Sequence, residues 1–142
     1  MVESRYAKSH RELIVYRKAR LLAQEIFAIT KAFPREEIYS LTDQIRRASR
    51  SVGAQIAEAW AKRPYERHFV SKLTDADAEQ HETQHWIETA EDCGYISRDQ
   101  AAFLLSLCSE IGKLIGSMIE KSSSFCKPTI RSLRELQAAY FI

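Results

Sequence analysis

Apolar side chains recur at alternating intervals of four and three along this chain, and that spacing permits little except packed α-helices. Val15, Ala19, Leu22, Ile26, Ile29 and Phe33 make the first such seam, within residues 10–33. Leu41, Ile45, Ala48, Val52, Gln55 and Ala59 make the second, widened by Ile56 and Trp60. Phe69, Leu73, Ala76, Gln80, Thr83, Ile87 and Ala90 make a third, with a polar centre, and Leu104, Leu107, Ile111, Leu114 and Met118 a fourth. Leu105, Cys108, Ile115 and Ile119 broaden the last stripe beyond one seam, which suits burial on two sides.

The breaks between seams have local causes. Pro34 pushes Phe33 out of the helical region, and Pro64 is suited to the first position of the third helix. Gly94 provides a left-handed helix end, and Ser97-Arg-Asp-Gln100 has the form of a capping box. The fourth seam fades at Ser122–Ser124. Four helices of roughly 20–28 residues joined by short connections predict an all-α, antiparallel up-down-up-down four-helix bundle over residues 1–126. Residues 127–142 form a C-terminal tail with a weak helical pattern in Ile130, Leu133 and Leu136, compatible with a short helix.

At 142 residues the chain fits one domain, large enough to bury a core without a metal or disulfide. Only four glycines and three prolines are present, few for a turn-rich β protein. Cys93, Cys108 and Cys126 are odd in number and never form C-x-x-C, so they read as reduced thiols of a cytoplasmic protein. The N-terminus has no apolar signal region. The most apolar stretch, 101–119, carries Glu110 and Lys113 near its middle, which argues against a membrane span. Gly112 and Gly116 give it a small-xxx-small spacing that allows close approach of another helix.

Charge is unevenly spread. Residues 1–65 carry a net +6, residues 66–94 a net −6 and the remainder +2. Arg17, Arg20 and Lys31 fall on the outward side of the first helix, and Arg46, Arg47 and Arg50 on that of the second. A solvated basic face is the plain reading. The functional readings are contact with nucleic-acid phosphates through Arg17, Arg20, Arg46, Arg47 and Arg50, or pairing with an acidic partner. An acidic surface exists on the same chain: Asp75, Glu82, Glu88 and Asp92 lie on the outer face of the third helix. Basic helices of one copy meeting the acidic helix of the next would form a head-to-tail contact that closes a ring, with these four carboxylates at the interface. A separate protein partner is the other occupant of such surfaces.

Residues 81–85 spell His-Glu-Thr-Gln-His, the H-E-x-x-H string of zinc peptidases, whose two imidazoles bind zinc while the glutamate acts as base. A zinc-dependent hydrolase built on His81, His85 and Glu82, with Glu110 as a third ligand, is thus the enzymatic alternative. The helical wheel opposes it. With Gln80 and Thr83 inward, His81 and His85 fall one and two positions past the seam and point outward, where no cleft is implied. Neither metal, cofactor nor catalysis is expected. Gln55 and Gln80 interrupt adjacent seams and need partners, either each other or Glu58, since an unpaired buried amide costs roughly 1–3 kcal/mol.

The second helix also carries a resemblance. Phe33-Pro34, Tyr39, Leu41, Gln44-Ile45-Arg46-Arg47-Ala48 and Ile56-Ala57-Glu58 resemble the proteins encoded in intervening sequences of large-subunit (23S) ribosomal RNA genes. Phe69, Leu73, Glu82-Thr83 and Gly94-Tyr95 continue the match, which spans roughly residues 10–120. The resemblance implies a four-helix bundle that assembles as a homopentameric ring. Relatives serve as accessory proteins of diversity-generating retroelements, binding nucleic acid and a reverse transcriptase through a basic surface. Gly53, Gln55 and Ala59 stand where proline, asparagine and glycine are common, and HETQHW replaces a leucine-rich turn.

Overall fold

A computed structural model describes residues 7–126. The C-terminal tail expected from residue 127 onward lies outside the described residues. Four long helices are present: α1 (Ile14–Thr30), α2 (Leu41–Ala61), α3 (Glu66–Asp92) and α4 (Arg98–Glu120), followed by a short α5 (Ser122–Cys126). Single 3-10 turns occupy His10–Glu12 and Arg35–Glu37. Each long helix packs on its two neighbours around a square, α1 on α2 and α4, and α3 on α2 and α4. The start of α2 lies beside the end of α1, where Arg46 reaches Thr30, and the start of α3 lies beside the end of α2, where Lys72 reaches Glu58. The architecture is the expected antiparallel bundle.

The seams are the core. Val15, Ala19, Leu22 and Ile26 of α1 are inward and at most 1% exposed. All seven residues of the third seam, Phe69 to Ala90, are buried, including Gln80 and Thr83. Burial of a large aliphatic or aromatic side chain contributes about 1.5–3 kcal/mol relative to exposure. Thr83 offsets the cost of its buried hydroxyl by donating to the Glu79 carbonyl at 2.8 Å. The capping box forms as expected: Ser97 Oγ accepts from the Gln100 amide while Gln100 Oε1 accepts from the Ser97 amide. Gly94, at φ +73°, closes α3 in the left-handed conformation that a Cβ disfavours.

Several local expectations are corrected. The first helix is shorter than 10–33, because Ser9 caps a separate 3-10 turn and Leu13 then runs extended. Near its other end Thr30 is buried while Ile29 packs against the core only half-buried, since a straight helix drifts from a 3.5-residue repeat. Thr30 satisfies its hydroxyl on the Ile26 carbonyl at 2.7 Å. Pro64 sits in the turn before α3, whose first residue is Glu66. Leu114 is only half-buried, and Ile115 takes its inward place.

The two glutamines do not meet, and neither reaches Glu58. Gln55 is half-buried and accepts from Lys72 at 3.4 Å, while Lys72 also pairs with Glu58 at 3.2 Å. Gln80, 2% exposed, donates to Asp77 and accepts from Gln84 on its own helix. Gly112 faces that amide: a Cβ there would sit 2.8 Å from Gln80 Nε2, so glycine allows the close approach of α3 and α4. Gly116 has open space around it and serves no such approach.

The serines at 122–124 do not end the helical structure. They lie in α5, which folds back so that Phe125 stacks on Phe69 at 6.0 Å and meets Trp60 edge-on at 6.3 Å. These three rings close the bundle end opposite Gly94. Helix α4 is long and apolar enough by composition to cross a membrane, yet here it is one wall of the bundle, with seven residues buried.

Phe69→Ala should remove the centre of this aromatic plug. We expect a loss of about 3–5 kcal/mol and a fall in melting temperature on the order of 10 °C by calorimetry. A loss below about 1 kcal/mol would mean that the three rings close nothing.

Candidate functional site

The geometry of HETQH is that of an outer helix face. His81 is two-thirds exposed, with Nε2 3.7 Å from Asp77 Oδ2 one turn earlier. His85 is exposed and packs edge-on against Trp86, whose indole N–H donates to Glu82. The glutamate that a zinc peptidase would use as base is thereby engaged by a tryptophan. Glu110 is held by Lys18 of α1 at 2.8 Å, on the side of α4 that turns away from α3. Among the described residues no three His, Cys, Asp or Glu side chains cluster as a metal would require.

The basic residues do converge, around a residue that periodicity did not single out. Phe27 lies beside the α1 seam and is 39% exposed. Lys31 Nζ stands 4.9 Å from its ring centroid, the Arg46 guanidinium 4.8 Å and that of Arg50 5.6 Å. Each such interaction contributes about 0.5–1 kcal/mol at an exposed site, but a ring quadrupole does not neutralise three positive charges. Arg46 is also fixed by a hydrogen bond, its Nε donating to Thr30 Oγ1 at 2.8 Å. Among the described residues, none of Lys31, Arg46 and Arg50 has a carboxylate within ion-pair distance.

Two hollows flank this cluster. A shallow groove runs between α1 and α2, floored by Ala19, Ala23, Gly53 and Ala57 with Tyr16 and Arg20 at its far end. Small residues on both helices make the groove, which composition alone did not reveal. A second hollow lies at the α1–α2 corner, between the end of α1 and the first turn of α2. Lys31, Arg35, Arg46, Arg47 and Arg50 line it, with Asp43 the opposing charge.

Of the five candidate phosphate ligands, Arg20, Arg46, Arg47 and Arg50 therefore line one continuous α1–α2 face. Arg17 does not: it is exposed and donates from Nε to the Arg11 carbonyl at 3.2 Å. Arg47 stands at the other edge, close enough to α3 to act on Glu79. Burial raises the Glu79 carboxyl above its usual range and Glu82 and Asp75 add to this, while Ser51 and Arg47 draw it back. Asp75, Glu82, Glu88 and Asp92 are all exposed on α3, as the wheel requires.

A search of curated proteins finds no match. Among solved structures, one of a protein of unknown function from the S23 ribosomal protein family of Bacteroides thetaiotaomicron is similar, at 31% identity and a TM-score of 0.69. The match covers 75% of this chain and 96% of that one. The profile of the 23S rRNA-intervening sequence proteins matches residues 11–117, most of the bundle. On these grounds the chain belongs to the 23S rRNA-intervening sequence protein family.

Proposed function

We propose that this protein is a non-enzymatic, ring-forming binding module that holds nucleic acid on its α1–α2 face. The observation that carries the reading is the set of cations gathered around Phe27 with no carboxylate among the described residues to pair them. Close unpaired cations repel one another, and a polyanion relieves that repulsion while releasing its own counterions. Arg46 is already oriented by its hydrogen bond to Thr30, so that side chain gives up little freedom on binding.

The opposite charge on α3 supports the ring. Asp75, Glu82, Glu88 and Asp92 form an exposed strip on a helix that neither contacts nor neutralises α1. A second copy can bring its basic helices to this strip, and repetition of that head-to-tail arrangement closes a ring, of five members as the family resemblance implies. Ring closure and nucleic-acid binding draw on cations of the same two helices, so they compete in part. A protein partner in place of nucleic acid is the alternative occupant of the basic face. Three thiols without a disulfide suit a reducing, cytoplasmic setting.

Three measurements test this. Native mass spectrometry at low salt should give one species of five chains, which dissociates as salt rises; a monomer at low salt overturns the ring. Replacing Arg46, Arg47 and Arg50 together by Ala should lower nucleic-acid affinity by roughly 10- to 100-fold near 100 mM salt and flatten the salt dependence, by up to roughly 0.9 for each phosphate that is no longer neutralised. Unchanged affinity and slope would show that these arginines touch no phosphate. His81→Ala should leave folding stability within about 0.5 kcal/mol and zinc content at background. About one zinc per chain in untagged wild-type protein, absent from His81→Ala, would instead restore the hydrolase reading.

A further inference from the structure

The α1–α2 corner hollow has features that a merely solvated basic face does not need. Five cationic side chains line it against the single carboxylate of Asp43. It opens at the first turn of α2, a 21-residue helix whose N-cap, Ser40, makes no side-chain cap. The Leu41 amide has only a long hydrogen bond to Glu37 at 3.5 Å, and the amides of Thr42 and Asp43 have no acceptor among the described residues. Free N–H groups at a helix start carry partial positive charge and favour an anion.

A further observation concerns Thr42, which lines the same hollow. It is only 5% exposed, and its Oγ1 has no hydrogen-bond partner among the described residues. Buried hydroxyls are ordinarily paired, and leaving one unpaired costs roughly 1–3 kcal/mol. At the rim stands Tyr39, 95% exposed, the most exposed large aromatic of the described chain. An aromatic side chain almost entirely in water adds little to the fold, and next to an anion-accepting hollow it offers a face on which a base can stack.

We propose that this corner is a nucleotide subsite for single-stranded nucleic acid. The proposal rests on the nucleic-acid reading above and adds a strand class and a position. A backbone phosphate sits among Arg46, Arg47, Arg50 and the open amides of α2, with the Thr42 hydroxyl donating to it. An unpaired base stacks on Tyr39. Stacking requires a base face free of its neighbours, which a single strand offers and an intact duplex does not.

The test uses the full chain, a labelled 12-nucleotide oligo-dT and a 12-base-pair duplex, with affinity read by fluorescence anisotropy over a salt series. Tyr39→Ala should weaken single-strand binding about tenfold while leaving duplex affinity and both salt slopes unchanged. Tyr39→Trp should restore single-strand binding. Thr42→Val, which keeps shape and removes the hydroxyl, should weaken both nucleic acids without a fall in melting temperature. If Tyr39→Ala moves neither affinity, or both equally, the stacking subsite is wrong while nucleic-acid binding stands. If Tyr39→Ala instead changes the mass of the assembly and not the oligonucleotide affinity, the tyrosine belongs to a subunit interface and the proposal falls. If the wild-type protein binds neither nucleic acid in a salt-dependent way, the underlying reading falls with it.

Discussion

The bundle depends on how α3 buries its inward rail. This helix packs against α2, α4 and α5, and all seven of its seam residues are enclosed. Two of them are polar, and each solves its own problem within α3: Thr83 by bonding back one turn, Gln80 by bridging Asp77 and Gln84. Because the amides and hydroxyls are satisfied inside one helix, the neighbours need supply only shape. Gly112 supplies it on α4, where any side chain would collide with the Gln80 amide. A rail with polar members is weaker per residue than an all-apolar one, and the Phe69–Phe125–Trp60 plug at one end compensates with large aromatic surfaces.

The same rail decides what the outer face of α3 can do. Turning Gln80, Thr83 and Ile87 inward forces His81, Glu82 and His85 out. The imidazoles of a familiar zinc string then lie on the outer face, His81 beside Asp77 and His85 against Trp86, and Glu82 is tied to Trp86. A short motif carries its chemistry only where the backbone makes its donors converge on one point, and a helix face packed by other residues does not. What remains there is charge, an acidic strip on the helix next to the basic α1–α2 face. Opposite surfaces on one rigid body are suited to association between copies, and unpaired cations to a polyanion.

Much of this was legible in residue order. The inward rail of α3 matches the seam residue for residue, as do the capping box at Ser97 and the left-handed end at Gly94. These are local matters: a 3.6-residue period and a cap depend on neighbours within one turn. Less was legible where partners come from elsewhere in the chain. Gln55 belongs to the second seam, yet it turns to Lys72 of α3. Phe27 lies off the seam and gives no sign in the sequence that three cations gather around it. The groove residues Ala23, Gly53 and Ala57 are too small to stand out, and Phe125 follows three serines that resemble an ending.

Periodicity, caps and breakers in the sequence alone determined the four long helices, their antiparallel order and the outward placement of the HETQH histidines, because each follows from backbone geometry over a few residues. Only the tertiary structure decided which arginines share a surface, that Arg17 stands apart from them, and that the first turn of α2 opens into a cationic hollow beneath Tyr39. Those outcomes depend on the rotation and spacing of one helix against another, set by the summed packing of side chains far apart in the chain.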